Sequence, residues 1–94
     1  MNTREFINGL PEHVRDKIEQ LRGDYTKYYG YFESDDEGYA NTGLRYMDET
    51  RQLMRGYVLG LMHAGLIAER GRQLLFLYMT TPEWVDNGNI PLTK

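Results

Sequence analysis

The stretch of the chain that most constrains its fold is residues 53–67, LMRGYVLGLMHAGLI, which has helical spacing but almost no polar face. On a helical wheel, two apolar stripes lie side by side and are interrupted by Arg55 and His63. The second of these stripes, with its neighbouring glycine, contains Gly56, Tyr57, Gly60 and Ala64. A helix that is wet on one side has a broad polar face, so this one is expected to be covered on at least two sides. The pattern predicts a homo-oligomer whose interface includes this second stripe.

Length and composition indicate one domain over residues 1–94. A chain of 94 residues can bury about two-thirds of its unfolded surface and fold without metal or disulfide staples. No cysteine is present, which removes disulfides and thiol chemistry and fits a reducing cytoplasm. No signal peptide or apolar segment of membrane-spanning length is evident, so a cytoplasmic protein without a membrane partner is expected.

The N-terminal half has the pattern of a long helix followed by an acidic loop. A short first turn is predicted from Thr3 as N-cap to Gly9. After Pro11, apolar residues recur at helical spacing and predict a helix over residues 12–33. These are Val14, Ile18, Leu21, Tyr25, Tyr28 and Phe32. Residues 34–42 are polar and lack periodicity, which predicts a loop. A second long helix is expected over residues 43–65, with Gly65 as its stop.

The C-terminal part predicts a change of structure. Residues 66–80 have the pattern of strand, turn and buried strand, which predicts a β-hairpin, while a short third helix over residues 73–80 is the alternative. The tail, residues 81–94, includes a helix-start signature before a single turn that carries Trp84 and Val85. The expected fold class is mainly α (α+β): two long antiparallel helices followed by a short hairpin or extended segment.

The sequence offers little chemistry for catalysis. It has no phosphate-binding glycine loop, paired-histidine zinc motif or calcium loop, so no cofactor and no metal is expected. The only serine, Ser34, lies in the acidic loop without a nearby histidine. His63, near the end of a helix, is expected to interact with terminal carbonyls rather than with a metal. We therefore expect a protein that is not an enzyme.

The acidic loop is a candidate docking point for another protein. Residues 1–42 carry five basic and nine acidic groups, a balance of −4, and the acid is concentrated around Asp35, Asp36 and Glu37. Such a run is commonly a solvated loop, and otherwise attracts a basic partner. Tyrosine is enriched at interfaces, and Tyr31 points away from the helical seam while Tyr39 lies in the loop. These five residues form the predicted partner-binding site.

Residues 48–80 resemble the C-terminal half of a winged-helix domain. The resemblance rests on four groups of residues: Met54, Val58 and Leu61 in the helix; Gly65, Leu66 and Ile67 after it; Arg70, Gly71 and Arg72; and finally Tyr78, Met79 and Thr80. It implies a recognition helix followed by a wing. The DNA contacts that it implies are Arg45, Arg51, Gln52 and Arg55 on the helix, with Arg70 and Arg72 at the wing tip.

These patterns lead to one favoured function and two alternatives. The favoured one is a small non-catalytic protein that binds another macromolecule, as a regulator or inhibitor, through protein–protein contacts and as a homodimer. A DNA-binding transcriptional regulator is the first alternative, supported by residues 43–80 with five basic and three acidic groups. The net charge of −3 opposes it. A small-ligand binder at a subunit interface is the second alternative.

Overall fold

Helices account for all the regular secondary structure in the described part of the chain. The computed structural model describes residues 2–82. The elements are α1 (Thr3–Asn8), α2 (Glu12–Phe32), α3 (Glu37–His63) and α4 (Glu69–Met79). No strand occurs within residues 2–82. The chain is therefore mainly α, and the mixed α+β class predicted from the sequence is wrong.

The two long helices, α2 and α3, form an antiparallel pair, as the apolar spacing predicted. The buried face of α2 consists of Val14, Ile18, Leu21 and Tyr25. The buried face of α3 includes Met47, Met54, Val58 and Leu61. These side chains belong to one apolar cluster, in which Ile18 and Met54 have no exposed surface. Burial of these stripes stabilises the pair, because each buried aliphatic side chain contributes about 1.5–3 kcal/mol.

The hairpin predicted over residues 66–80 is wrong, and α4 occupies most of this segment. Gly65 has a φ of 79° and ends α3 as expected, so the chain turns before Glu69. Leu75 and Met79 of α4, four residues apart, are fully buried against the α2–α3 pair. The run from Leu74 to Met79 is continuously apolar and has no period of its own, so strand and helix could not be distinguished by pattern. Without a hairpin there is no wing.

The acidic loop is shorter than predicted. Residues 34–42 were expected to be a loop, but α3 begins at Glu37 and only four residues, 33–36, separate it from α2. Asp36 is the N-cap of α3, and its Oδ1 accepts a hydrogen bond from the Tyr39 backbone N–H at 3.1 Å. A capped start and packing on α2 offset the low helix propensity of the glycines in this segment.

The short first helix was predicted, and α1 confirms it with a different cap. Asn2, not Thr3, is the N-cap, and its Oδ1 accepts a hydrogen bond from the Glu5 N–H at 2.8 Å. Ile7 joins the central cluster. Phe6 packs closely on Gly71 of α4, where a Cβ atom would lie 2.8 Å from the Phe6 ring. The N-terminus thus covers one side of α4.

None of the helices within residues 2–82 combines the length and the apolar composition that a membrane-spanning segment requires. The predicted turn that carries Trp84 and Val85 lies outside the described residues.

Candidate functional site

The turn between α2 and α3 brings two of the predicted partner-binding residues together. Tyr31 lies in the last turn of α2 and Tyr39 in the first turn of α3, and the four-residue connection folds one helix back on the other. Their ring centroids are 5.5 Å apart with planes at 69°, an edge-to-face contact. This geometry suits the positive edge of one ring and the negative face of the other. The two tyrosines therefore form one aromatic unit.

Two further tyrosines extend this unit along the helix pair. Tyr28 meets Tyr31 edge to face at 6.0 Å, and Tyr28 also meets Tyr46 of α3 at 5.0 Å. Tyr28, Tyr31 and Tyr46 are half-buried, while Tyr39 is 58% exposed. We call Tyr28, Tyr31, Tyr39 and Tyr46 the aromatic tip. It offers a ring surface that is firmly held at its base and accessible at its end.

Tyr28 and Tyr46 were not predicted as site residues. A helical wheel treats one helix at a time, and the pairing of these rings depends on where two helices cross. The antiparallel arrangement of the two helices could have identified both residues. Residues 31 and 39 bracket the turn, so residues 28 and 46 follow one helical turn or two further along the same pair.

The predicted acidic residues lie in the turn and at the start of α3, two to four residues before the exposed Tyr39. Asp35, Asp36 and Glu37 are all exposed. Asp36 is held from both sides, since its N–H also donates to the Ser34 hydroxyl at 3.1 Å. Within residues 2–82, none of the three carboxylates takes part in an ion pair. Their negative charge is therefore available to a partner, next to apolar ring surface.

A glycine at the helix crossing makes the aromatic tip possible. A Cβ atom placed on Gly43 would lie 2.6 Å from the Tyr28 carbonyl oxygen and 2.8 Å from the Tyr31 Cβ. The α3 backbone thus rests on the α2 backbone directly below the rings. Gly56 and Gly60 of the same helix do not receive the α2 rings, because within residues 2–82 no heavy atom of their surroundings comes within 4 Å of a Cβ at either glycine.

The predicted oligomer interface lies on the outer side of α3. Gly56, Gly60 and Ala64 are exposed, and Tyr57 at the edge of this face is half-buried. Partial burial raises the pKa of the Tyr57 phenol. The sequence predicted that α3 is covered on at least two sides. Within residues 2–82, only the side that carries its buried face is covered.

The residues that the winged-helix resemblance assigned to DNA contact lie on two separate helices. Arg45 stacks on Tyr46 at 4.9 Å, Arg55 on Phe76 at 5.3 Å, and Arg51 lies 3.8 Å from Asp48. Gln52 is exposed on the same helix. Arg70 and Arg72 lie in the first turns of α4, not at a hairpin tip.

Of these two α4 arginines, Arg72 is paired with a neighbouring carboxylate. It hydrogen-bonds Glu69, and this contact lowers the pKa of the Glu69 carboxyl. Four of these arginines therefore contact an aromatic ring or a carboxylate of the same chain: Arg45, Arg51, Arg55 and Arg72.

Apart from the aromatic tip, a cluster of polar side chains joins α2 to α4. The Tyr78 hydroxyl donates to Glu19 Oε1 at 2.7 Å, and the Arg22 guanidinium stacks on the Tyr78 ring at 4.5 Å. Arg22 also donates to the carbonyls of Tyr78, Thr81 and Pro82 at 3.3–3.4 Å. Burial, the larger cause, and the hydrogen bond to Glu19, the next, together raise the pKa of Tyr78 to about 12. The cluster closes the end of α4, and no pattern in the sequence predicted it.

This cluster borders a cavity of about 290 Å³, which also contacts Arg4, Ile7 and Asn8 of α1. Its volume is at the lower end for small-molecule sites. Nowhere within residues 2–82, this cavity included, is a group of three or more histidine, aspartate or glutamate side chains placed to hold a metal ion.

Comparison of the chain with protein-family models, curated proteins and solved structures gave no match.

Proposed function

We propose that this protein binds another protein through the aromatic tip and the acidic residues around it. The observation that carries the proposal is the contact between Tyr31 and Tyr39 at 5.5 Å beside three exposed carboxylates that make no ion pair within residues 2–82. Interfaces are typically built from an aromatic anchor that becomes buried and a polar rim that stays wet. The tip has both parts, and its base is fixed by the helix crossing at Gly43.

The chemistry of the tip defines the partner as a basic surface with an apolar recess. Asp35, Asp36 and Glu37 attract Lys and Arg side chains, which speeds encounter, and the Tyr39 ring then fills the recess. Phe32, which is 42% exposed at the end of α2, adds apolar surface nearby. A protein that acts in this way regulates or inhibits its partner by occupying a surface.

The experiment compares proteins retained by the immobilised wild-type chain with those retained by matched variants. Tyr39→Ala removes the exposed anchor, and Leu77→Ala is the control, since Leu77 is 54% exposed on α4 and is not part of the tip. A partner of the tip is retained by the wild type and the control and lost from Tyr39→Ala.

The purified partner must then bind the Tyr39→Ala variant at least about tenfold more weakly than the wild type, as expected for a buried aromatic anchor. Equal affinity for Tyr39→Ala and wild type would refute the proposal. Sub-micromolar, salt-sensitive binding to duplex DNA that is unchanged in the Tyr39→Ala variant would replace it with the nucleic-acid alternative.

A further inference from the structure

The outer face of α3 carries a stripe with the spacing of a helix–helix seam. Counting along the helix, its members recur at intervals of 4, 3, 4 and 3. They are Glu49, Leu53, Gly56, Gly60 and His63, and all of them are exposed. We call them the outer stripe. It lies opposite the buried face of α3 and is separate from the aromatic tip.

The middle of the outer stripe is a shallow groove beside a projecting leucine. Leu53 is 65% exposed, the most exposed of the large apolar side chains within residues 2–82. In the described part of the chain, a Cβ atom at Gly56 or Gly60 would meet no heavy atom of its surroundings within 4 Å. A second helix can therefore approach the α3 backbone closely here, with a leucine of one helix placed over the glycines of the other.

The two ends of the outer stripe carry complementary groups. Glu49 lies seven residues before Gly56, and His63 lies seven residues after it. Within residues 2–82, neither side chain has a hydrogen bond or an ion pair. If two copies of α3 pair in antiparallel orientation about Gly56, each Glu49 faces the His63 of the other copy. The same two-fold axis places each Leu53 beside the partner's Gly60.

We propose that two copies of this chain associate through antiparallel α3 helices with Gly56 at the two-fold axis. The arrangement is self-complementary, as an interface between identical copies requires. The outer stripe spans about 21 Å of helix, since fourteen steps separate its ends. One helix pair of this length buries less than the roughly 800 Å² per partner of a standard interface, so the dimer is weak and dissociates on dilution. The aromatic tip stays free in both copies.

Sedimentation velocity of the full chain between about 10 µM and 1 mM tests the association. We expect the sedimentation coefficient to rise with concentration for the wild type, and Gly56→Lys to remain monomeric throughout. Gly23→Lys is the matched control, because Gly23 is also an exposed helical glycine with no heavy atom within 4 Å of a Cβ. A wild type that stays monomeric at 1 mM, or a Gly23→Lys variant that loses the dimer equally, would overturn the proposal.

A charge reversal tests the antiparallel orientation. His63→Glu places two carboxylates together at each end of the interface, and we expect dimerisation to weaken about three- to tenfold. Adding Glu49→Lys to His63→Glu places opposite charges across the two-fold axis and should return dimerisation to at least the wild-type strength. If the double variant dimerises no better than His63→Glu alone, the antiparallel pairing is refuted. Binding of a partner at the aromatic tip should be the same in all these variants, so the outcome is independent of the proposed function.

Discussion

Gly43 of α3 lies so close to Phe32 of α2 that a Cβ atom at position 43 would be 2.5 Å from the Phe32 backbone nitrogen. Its other near neighbours, the Tyr28 carbonyl oxygen and the Tyr31 Cβ, also belong to α2. Two of these three atoms are backbone and cannot rotate away. The crossing of the two long helices, and with it the position of the aromatic tip, therefore depends on a residue without a side chain.

Gly43→Ala is expected to lower the free energy of unfolding by about 1–3 kcal/mol, because the added methyl group must push α2 and α3 apart. Gly60→Ala is the matched control. It adds the same methyl group to the same helix in open space, and should raise the free energy of unfolding by about 0.5–1 kcal/mol through helix propensity. Urea unfolding followed by circular dichroism at low micromolar concentration measures both. A neutral Gly43→Ala would contradict the close crossing.

The acidic and aromatic parts of the tip are expected to separate kinetically once a partner is known. Asp35→Asn combined with Glu37→Gln should slow association at low salt and leave dissociation almost unchanged, because exposed charges act mainly on encounter. Tyr39→Ala should speed dissociation. Surface plasmon resonance at two salt concentrations distinguishes the two effects. If both variants keep the wild-type rate constants, these residues do not contribute to partner binding and only form a solvated turn.

Asp36 has a structural task in addition to its charge, because its carboxylate caps α3. Asp36→Ala should lower the free energy of unfolding by about 1 kcal/mol, whereas Asp36→Asn keeps a capping oxygen and should lower it by a few tenths. Thermal unfolding of the two variants side by side checks this. Equal losses in both would mean that the charge at the start of α3 matters and the cap does not.

The sequence predicted the parts of the fold that are governed by periodicity. Val14, Ile18 and Leu21 repeat at helical spacing, and they lie on the buried face of α2. The continuous apolar run from Leu74 to Met79 has no such period, so its helical state depends on the α2–α3 surface that it covers. The predicted hairpin failed for this reason.

The candidate site was predictable where it depends on one helix or one turn, as for Tyr31 and Tyr39. It was not predictable where two helices meet. Gly43 and Gly60 are alike in sequence, yet one lies at the helix crossing and the other faces solvent. Their roles are set by the crossing point, which side-chain patterns on a single helix do not specify.

Arg22 is expected to stabilise the end of α4, because its guanidinium donates to three carbonyls there and stacks on Tyr78. Arg22→Met keeps an aliphatic stem but removes the donors, and should lower the free energy of unfolding by about 1–3 kcal/mol. Lys27→Met is the control, since Lys27 is exposed on the same helix and its ammonium lies 5.7 Å from the Tyr28 ring centroid. Urea unfolding of both variants measures the difference. Similar losses in the two would show that the carbonyl contacts contribute little.

The raised pKa of Tyr78, caused by burial first and by the hydrogen bond to Glu19 second, predicts how stability changes at alkaline pH. The pKa of Tyr78 is raised from 10.0 to about 12, so the folded state holds the phenolic proton more tightly than the unfolded state does. The resulting stabilisation is fully present below about pH 10 and is lost as the pH rises towards about 12. Tyr78→Phe cannot titrate there, so its free energy of unfolding should decline less steeply than that of the wild type between pH 10 and 12. Parallel declines would contradict this.

Glu19→Gln isolates the contribution of the carboxylate to the Tyr78 pKa. Burial is the larger cause of the shift and remains in the variant, whereas the charged acceptor is lost. The pKa of Tyr78 should therefore fall below about 12 and stay above 10.0. Ultraviolet titration of tyrosinate, taken as the difference between each protein and its Tyr78→Phe counterpart, assigns the signal to this residue among the eight tyrosines. An unchanged Tyr78 titration in Glu19→Gln would show that the Glu19 carboxylate does not hold the proton, and that burial between α2 and α4 accounts for the whole shift.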